Sequence, residues 1–336
     1  MESATQPNST APACSVPCDL CGSTDVADLA RRDRDGGALR TVICRRCGLV
    51  YSDPRPDAEQ VRAYYEHSYR TDYKATYQPK AKHTYRAGKV ALDRYQRLAE
   101  FLKPGCRVLD FGAGGGEVVY LLRTLGYAAT GFEPNAGYAK FAAEQLGLPV
   151  LHGFYQTVPI APQSQDVVTA FHVVEHLESP CGAFQQVRQW LRASGRLVVE
   201  VPNVEAICQW PHSRFHRAHL YNFNLATLEM TGRKSGYRVI SHAASFDGGN
   251  ITVVFERDDA APALSGEIPG NCARVEAIVR GQTWLRHLGS HYPYLRPLRK
   301  IAARLDESRG IRNHPSPQQI LDGLIAGELA QLKRRA

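Results

Sequence analysis

The sequence contains no apolar run of the roughly 18–20 residues that a membrane-spanning helix requires. Its first residues have neither the basic start nor the apolar stretch of a secretory signal, and residues 1–15 are expected to form a disordered leader. The glycines and prolines follow no period of the kind that marks collagen or a repeat array. These absences predict a protein without a membrane span, which we expect to be cytoplasmic.

The composition fits a folded chain. Hydrophobic residues make up 43% of the 336 positions and charged residues 22%, which allows a sizeable core and excludes wholesale disorder. The net charge is +8, and from Arg274 onward twelve Lys and Arg face five Asp and Glu. Such a basic region can attract nucleic acid, acidic lipid or an anionic substrate. Because the charges are spread out, a solvated helical face is the favoured interpretation.

Four of the nine cysteines form two closely spaced pairs, Cys18 with Cys21 and Cys44 with Cys47. Two Cys-x-x-Cys pairs with short strand-like pieces between them predict a zinc ribbon over 16–52. A redox pair is the alternative, but the helix that would follow it in a thioredoxin-like unit is missing from the pattern. Four thiolates fill a tetrahedral coordination sphere, so the predicted zinc is structural rather than catalytic.

Residues 53–104 are predicted to form a linker and a helical cap. Prolines begin the segment, a cluster of tyrosines follows within 64–77, and an amphipathic helix is predicted over 86–102. The tyrosines could pack against the cap, stack on nucleic-acid bases or line one wall of a substrate pocket. Packing is the default interpretation.

Strands and helices alternate regularly over 105–258, which predicts an α/β fold with a doubly wound, mostly parallel sheet. The last two strands are joined through a short turn at 247–250, and a short turn can only join antiparallel strands. The sheet should therefore have an antiparallel edge. The remaining residues, 259–336, are predicted to be a helical, basic carboxyl-terminal region.

A glycine-rich loop after the first strand of this domain carries the clearest chemical signal. Gly112, Gly114 and Gly116 allow a ligand to approach the backbone at the start of a helix. Asp110 precedes them in a place suited to the ammonium of an amino acid, and Glu133 ends the next strand, where a carboxylate can hold a ribose diol. A ligand with a ribose, an amino-acid end and no phosphate is S-adenosylmethionine.

With these motifs the chain resembles the class I S-adenosylmethionine-dependent methyltransferases. The segments that carry the resemblance are 110–116, Glu133, 166–176 and 195–203. The resemblance implies a Rossmann-like methyltransferase fold and adds Asp166, Phe171 and His172 to the expected cofactor-binding residues, beside Asp110, Gly112, Gly114, Gly116 and Glu133. A zinc ribbon joined to this domain is similar to zinc-containing small-molecule methyltransferases, among them sugar C-methyltransferases of antibiotic and surface-glycan pathways. The carboxyl-terminal region departs from the long second domain of those sugar enzymes.

A sulfonium methyl group is already activated, so the enzyme has to align the acceptor and remove a proton. His219 is the predicted base, because histidine begins with a pKa near working pH, and Tyr221 would align the acceptor. His176 is the second candidate. His172, Glu175 and His176 could alternatively hold a divalent ion, as in some relatives of the class, or simply cap and pack the next helix.

The sequence thus predicts a methyltransferase acting on a small-molecule acceptor, with S-adenosylmethionine and zinc as its cofactors. The main alternative is an RNA methyltransferase whose zinc ribbon reads the substrate. A non-catalytic zinc adaptor would have no affinity for the cofactor, although the cofactor motif is intact. The acceptor, the methylated atom and the oligomeric state are not predicted.

Overall fold

The computed structural model describes residues 16–56, 58–63, 78–312 and 314–335, and of 58, 63 and 329–335 it describes the backbone. The predicted leader and the tyrosines within 64–77 lie outside the described residues. Eleven strands are assigned within those ranges: β1 Val26–Arg32, β2 Ala38–Cys44, β3 Val50–Ser52, β4 Arg107–Phe111, β5 Ala128–Glu133, β6 Val150–His152, β7 Gln165–Phe171, β8 Leu191–Pro202, β9 Tyr221–Asn222, β10 Tyr237–Ala244 and β11 Asn250–Arg257. The α-helices of the same ranges are α1 Ala58–Ala63, α2 Ala81–Leu98, α3 Glu117–Thr124, α4 Ala136–Leu146, α5 Pro180–Trp190, α6 Leu225–Lys234, α7 Asn271–Gly281, α8 Trp284–Leu288, α9 Tyr292–Arg312 and α10 Pro317–Arg335.

The amino-terminal unit is a small antiparallel sheet that takes its last strand from elsewhere in the chain. Strands β1 and β2 form a hairpin, and the Asp33 carboxylate fixes its turn by accepting a hydrogen bond from the Gly37 N–H at 2.7 Å. The strand order is β1-β2-β3-β9, and Tyr51 of β3 pairs with Tyr221 of β9. Since β9 lies in sequence between β8 and β10 of the large sheet, backbone hydrogen bonds join this unit to the rest of the protein.

The large sheet has seven strands in the order β10-β11-β8-β7-β4-β5-β6. Strands β4 to β8 pair parallel with one another, whereas β11 pairs antiparallel with both β8 and β10. This order confirms the predicted α/β class with its antiparallel edge, a Rossmann-like methyltransferase fold. Strand β8 has 12 residues and begins directly at the end of α5.

The core fixes where the strands end. Val108 and Leu109 of β4 are fully buried, as a parallel strand covered by helices on both faces requires. In the core cluster that contains Leu109, the rings of Phe111, Phe132 and Trp190 pack together, with centroids 4.7 Å apart for the two phenylalanines and 5.8 Å for Phe132 and Trp190. Truncating such a side chain typically costs roughly 3–5 kcal/mol. The carboxyl ends of β4 and β5 are therefore held rigidly side by side.

Helix α2 covers the large sheet and begins earlier than the sequence predicts, at Ala81 rather than at 86. Its Gly88 lies against α10, where an added Cβ would come within 2.7 Å of Leu321. Helix α9 is tethered to α2 by Asp306, which accepts from Lys89 at 2.7 Å, and α9 has no buried residue. The predicted helical carboxyl-terminal region is thus present, and α9 is the exposed part of it.

Among the described residues, no helix combines the length and the hydropathy needed to cross a membrane.

Candidate functional site

A cavity of about 600 Å³ opens at the carboxyl ends of strands β4, β5, β7 and β8. In an α/β sheet this edge is where ligands bind, because loops from neighbouring strands converge there. Helix α2 and the segment 209–222 close the cavity from above, and the amino-terminal unit reaches it through Arg34. The loops of the sheet form one half of the cavity, which we call the cofactor half. The side chains of 172–176 and 213–222 form the other, which we call the acceptor half.

The glycine loop between β4 and α3 shapes the cofactor half. Gly112 has a positive φ of 73°, and a Cβ there would lie 2.6 Å from Val173. The Gly114 N–H donates to Glu133 Oε2 at 2.9 Å, and the Asn135 N–H donates to Oε1 at 3.1 Å. Glu133 is 3% exposed, so its charge is stabilised by these backbone donors at the end of β5. The two predicted glycines and the predicted acid meet at one point of the cavity wall.

Asp110 forms the floor of the same half. It is 4% exposed and accepts a hydrogen bond from Thr169 Oγ1 at 2.6 Å. Burial raises the pKa of Asp110 to about 6, although the Thr169 hydroxyl acts in the opposite direction. Phe171, the last residue of β7, and His172, which follows it, also line the cavity.

Two of the predicted cofactor residues lie away from the cavity, and their assignment is corrected. Asp166 stands at the amino end of β7, at the opposite edge of the sheet, where it accepts from the Arg107 N–H at 2.8 Å and pairs with Arg192 at 2.7 Å. Gly116 faces the protein interior, since a Cβ there would lie 2.6 Å from Leu148. A glycine is needed at 116 for the positive φ of 86° at the start of α3 and for that close packing.

His172 bridges two buried carboxylates between the two halves. Its Nδ1 lies 3.3 Å from Glu175 Oε1, and its Nε2 lies 3.4 Å from Glu200 Oε1. Burial lowers the pKa of His172, but the nearby carboxylates of Glu175 and Glu200 have the larger combined effect and raise it to about 9. Arg94 of α2 adds two hydrogen bonds to Glu200 Oε1, at 2.9 and 3.1 Å. His172 has a left-handed backbone with φ of 55°, which is uncommon for a residue with a side chain and often marks a functional site.

The predicted base His219 and the second candidate His176 meet in the acceptor half. The centroids of their rings are 4.8 Å apart, the ring planes are nearly perpendicular, and both residues line the cavity. Burial first, and then the neighbouring His176, lower the pKa of His219 to about 3. The expectation of a base that titrates near neutral pH is therefore not met by His219. Burial likewise lowers the pKa of His216 to about 4.

Tyr221, predicted to align the acceptor, is turned into the core. Its hydroxyl donates to the Glu178 carbonyl at 3.0 Å, the Arg55 guanidinium lies 4.7 Å from its ring centroid, and the side chain is fully buried. The alternation of side chains along a strand explains the difference, because the neighbouring Asn222 of β9 faces the cavity instead. The role assigned to Tyr221 is corrected to packing.

Several cavity residues were missed by sequence reasoning. Arg94, Glu200 and Arg214 line or support the cavity from α2, β8 and the segment after β8. Glu200 could have been found, since it is the one acid in the apolar run 197–202. Arg214 gives no such signal, because its burial and its bond to the Ala206 carbonyl at 3.1 Å depend on how 204–220 folds over the cavity.

Residues 82–242 match a family model described as a methyltransferase domain. Those residues form a methyltransferase domain. Among similar proteins, the ubiquinone biosynthesis O-methyltransferase of Roseobacter denitrificans is 34% identical over 104 residues, which are 30% of this chain and 42% of that protein. A Mycolicibacterium smegmatis protein named "Probable S-adenosylmethionine-dependent methyltransferase" is 27% identical over 158 residues, 47% of this chain and 61% of that protein. The chain thus spans about two fifths to three fifths of the length of these relatives.

Solved structures similar to the methyltransferase domain include a methyltransferase in complex with the Haloferax volcanii Trm112 activator. It is 16% identical, has a TM-score of 0.44, and the match covers 51% of this chain and 94% of that one. An S-adenosylmethionine-dependent methyltransferase of Mesorhizobium loti is 14% identical with a TM-score of 0.41, over 48% of this chain and 97% of that one. Similarity at this level supports no inference about function.

The four predicted cysteine ligands converge at one end of the amino-terminal unit. Cys18 Sγ lies 3.5 Å from Cys47 Sγ, Cys21 Sγ lies 3.4 Å from Cys44 Sγ, and all four sulfurs are within 4.8 Å of one another. A tetrahedron with zinc–sulfur bonds of about 2.3 Å has sulfur atoms roughly 3.8 Å apart, so the four thiols fit a zinc ion. The two Cys-x-x-Cys turns are alike, because each is closed by a glycine whose N–H donates to the first cysteine's carbonyl at 2.8 Å.

The cysteine-bearing unit holds the acceptor half in place. Its Asp19 carboxylate accepts from Ser179 Oγ at 2.7 Å and from the Cys181 N–H at 2.8 Å, both at the amino terminus of α5. The Arg34 N–H donates to the Phe215 carbonyl at 2.8 Å, and the β3–β9 pairing lies next to His219 in the chain. These contacts link the fold of the unit to the position of the cavity histidines in the methyltransferase domain.

Proposed function

We propose that this protein transfers a methyl group from S-adenosylmethionine to a small-molecule acceptor. The observation that carries the proposal is the meeting of the glycine loop, Glu133 and the acceptor-half histidines around one cavity in a methyltransferase domain. Its volume of about 600 Å³ lies within the range of small-molecule sites. Sugars, natural products and glycan precursors are the acceptor classes in view.

The cofactor half fits the cofactor. Glu133 would hold the ribose hydroxyls, and Asp110 would position the methionine end of the cofactor. Gly112 and Gly114 have no side chains, so the cofactor could approach the backbone of the loop closely. Phe171 and His172 would bound the same space. The cofactor supplies a methyl group already activated on a sulfonium sulfur, so the protein's own task is to hold the acceptor in line with it.

The acceptor half would receive the second substrate. His176 and His219 present imidazole rings to the cavity, and Asn222 and Arg214 add polar groups beside them. Polar side chains that converge on an enclosed space orient a small polar acceptor better than an apolar wall would. We assign the handling of the acceptor's nucleophilic atom to this group.

RNA is the alternative acceptor, and the amino-terminal unit argues against it. Five of its six arginines lie within 3.5 Å of a carboxylate, in the pairs Arg31–Asp28, Arg34–Asp35, Arg40–Asp28 and Asp53, Arg45–Asp25 and Arg46–Glu267. The sixth, Arg32, donates to the Gly36 carbonyl. A surface whose cations face acidic neighbours attracts phosphates weakly.

Zinc is part of the proposal as a structural ion. Cys18, Cys21, Cys44 and Cys47 would bind it as thiolates, which leaves no position open for a substrate. Four thiolates have to stay reduced, so a reducing compartment such as the cytoplasm belongs to the same proposal.

Calorimetric titration with S-adenosylmethionine and with its demethylated product tests the cofactor assignment directly. We expect one binding site per chain for each compound. Transfer of a labelled methyl group to small acceptors, compared with bulk RNA at low and high salt, tests the acceptor class. Absence of cofactor binding would refute the enzyme assignment, and salt-sensitive methylation of RNA would favour the alternative.

A further inference from the structure

Besides the four cysteines of the amino-terminal unit, a second group of side chains with metal-binding atoms lies in the acceptor half. Glu175 and His176 come from the short helical turn after β7, and His219 comes from the segment before β9. One carboxylate oxygen and two imidazole nitrogens lie within 4.8 Å of one another. We propose that Glu175, His176 and His219 bind one divalent transition-metal ion that holds an oxygen of the methyl acceptor. The role of the ion rests on the proposed function, whereas the ion site itself does not.

Glu175 is the strongest reason to place a cation here. The residue is 1% exposed, and within the described part of the chain neither carboxylate oxygen has a hydrogen-bond donor. Its ion-pair neighbours are His172 Nδ1 at 3.3 Å and His176 Nε2 at 3.8 Å. A buried carboxylate is costly unless it is well partnered, and coordination to a cation would satisfy it.

His176 is oriented as metal-binding histidines usually are. Its Nδ1 lies 2.8 Å from the Ala218 carbonyl oxygen, which can only accept a hydrogen bond. The neutral ring therefore carries its hydrogen on Nδ1 and its lone pair on Nε2, the atom nearer to Glu175. A backbone carbonyl that fixes the far nitrogen of a histidine is a common outer partner of a bound metal.

His219 completes the group from the other side of the cavity. Its ring is nearly perpendicular to that of His176, at 76°, and it is partly exposed to the cavity. Bonds of about 2.0–2.2 Å to an ion would bring neighbouring donor atoms to roughly 3.0–3.4 Å, so separations of up to 4.8 Å have to shorten by as much as about 1.5 Å. Glu175 Oε1 and His176 Nε2, 3.8 Å apart, have to approach by about half an ångström, and the partly exposed His219 ring has to move toward both.

The donor set indicates both the kind of ion and its use. Two imidazoles and one carboxylate suit first-row divalent metals, and such a triad leaves coordination positions open. An acceptor hydroxyl in an open position would become more acidic. Its proton would leave to water, its oxygen would form the bond to the methyl carbon, and the carbon–sulfur bond would break with its electron pair going to sulfur. An ion in this place removes the need for His219 to act as the base.

Cobalt binding tests the site without relying on activity. Protein whose cysteine site is already filled with zinc is dialysed against Co²⁺, and cobalt and zinc are counted together. We expect one cobalt per chain in addition to one zinc, with a visible spectrum that lacks the thiolate charge-transfer bands of cobalt bound to cysteine.

Variants locate the ion. Glu175→Gln and His219→Ala should each weaken cobalt binding at least tenfold, because each removes one of three protein ligands. His242→Ala is the matched control, since His242 is exposed, pairs with Glu229 and does not line the cavity. Zinc content and calorimetric affinity for S-adenosylmethionine show in each case that the variant is folded, and the partly exposed His219 keeps the test decisive if Glu175→Gln does not fold.

The outcomes separate this inference from the proposed function. A wild-type protein that takes up no second metal, or folded His219→Ala protein that binds cobalt as wild type does, overturns the ion site. Cofactor binding in that protein would leave the methyltransferase assignment standing. Cobalt bound at this site in a protein without affinity for S-adenosylmethionine would support the ion site and refute the methyltransferase assignment.

Discussion

The two halves of the cavity are built in different ways. The cofactor half consists of short loops on neighbouring parallel strands, and its key contact joins Gly114 to Glu133 across one crossover unit. The acceptor half brings together the turn after β7 and the segment before β9. The cysteine-bearing unit holds both in place, through the pairing of β3 with β9 and the hydrogen bonds of Asp19 to the start of α5, and we call these contacts the clamp. The first half follows from strand order, whereas the second depends on docking between distant segments. We therefore expect changes in the acceptor half to affect the cofactor half little.

The largest expected effect comes from breaking the clamp. Cys44→Ser removes one zinc ligand, and because zinc binding contributes on the order of 10 kcal/mol to the folding of small zinc domains, we expect a loss of several kcal/mol in unfolding free energy. Elemental analysis and denaturant unfolding measure the two changes. The control is Cys208→Ser, a cysteine outside the cluster.

The same variant also tests whether the halves are independent. At a temperature where Cys44→Ser remains folded, we expect its affinity for S-adenosylmethionine to change much less than its stability. A full equivalent of zinc in the variant would mean that the ligand set is wrong. An equally large loss of cofactor affinity would mean that the clamp supports both halves.

Asp110→Asn should reveal how much the buried charge of Asp110 lowers the unfolding free energy. Because burial raises the pKa of Asp110 from 3.8 to about 6, its charged form destabilises the fold. The penalty is absent below the unfolded-state pKa and complete above the folded-state pKa. As the pH rises from about 4 to about 8, the unfolding free energy of the variant should therefore increase relative to that of wild type by roughly 2–3 kcal/mol.

Urea unfolding of both proteins across that pH range measures the difference. The Asn oxygen can still accept from Thr169 Oγ1, and the charge-dependent part of that bond is already contained in the pKa of Asp110, so the change with pH reports the burial of the charge. A difference that does not vary with pH would contradict the raised pKa. Cofactor affinity should fall in the variant, so that stability and binding move in opposite directions.

Glu133→Ala should weaken the cofactor half alone. The loss of a charge-assisted bidentate contact to the ribose is worth roughly 1.5–3 kcal/mol, or about ten- to a hundredfold in affinity for S-adenosylmethionine. Calorimetry measures the affinity, and Glu144→Ala, an exposed acid on α4, is the control. Unchanged affinity would refute the assignment of Glu133, and cobalt uptake should be the same as in wild type.

The smallest effect is expected at the contact between the clamp and α5. Asp19→Ala removes the acceptor for Ser179 Oγ and for the Cys181 N–H at a helix amino terminus, which should cost about 1 kcal/mol in unfolding free energy. Asp25→Ala, on the exposed surface of the same unit, should cost less because its pairing with Arg45 is solvated. Equal losses in a thermal or urea unfolding experiment would show that Asp19 contributes no more than an ordinary surface acid.

Residues close in sequence were the ones that the sequence could place. The alternation of strands and helices predicted the α/β class, and the spacing of the cysteines predicted that four thiols would meet, because both patterns depend on local geometry. Gly112, Gly114 and Glu133 belong to the same kind of pattern. Asp166 and Gly116 were misplaced because a motif names positions without saying which end of a strand, or which side of a loop, faces the ligand.

The tertiary structure alone decided the acceptor half. Tyr221 and Asn222 are adjacent in β9, and pairing with β3 determines that the first points into the core and the second into the cavity. The same docking encloses most of His219 and thereby lowers its pKa, and no local sequence pattern encodes that environment. It also brings His219 beside Glu175 and His176. Sequence fixes contacts along a turn or between neighbouring strands, whereas burial and the meeting of distant side chains depend on how whole segments pack.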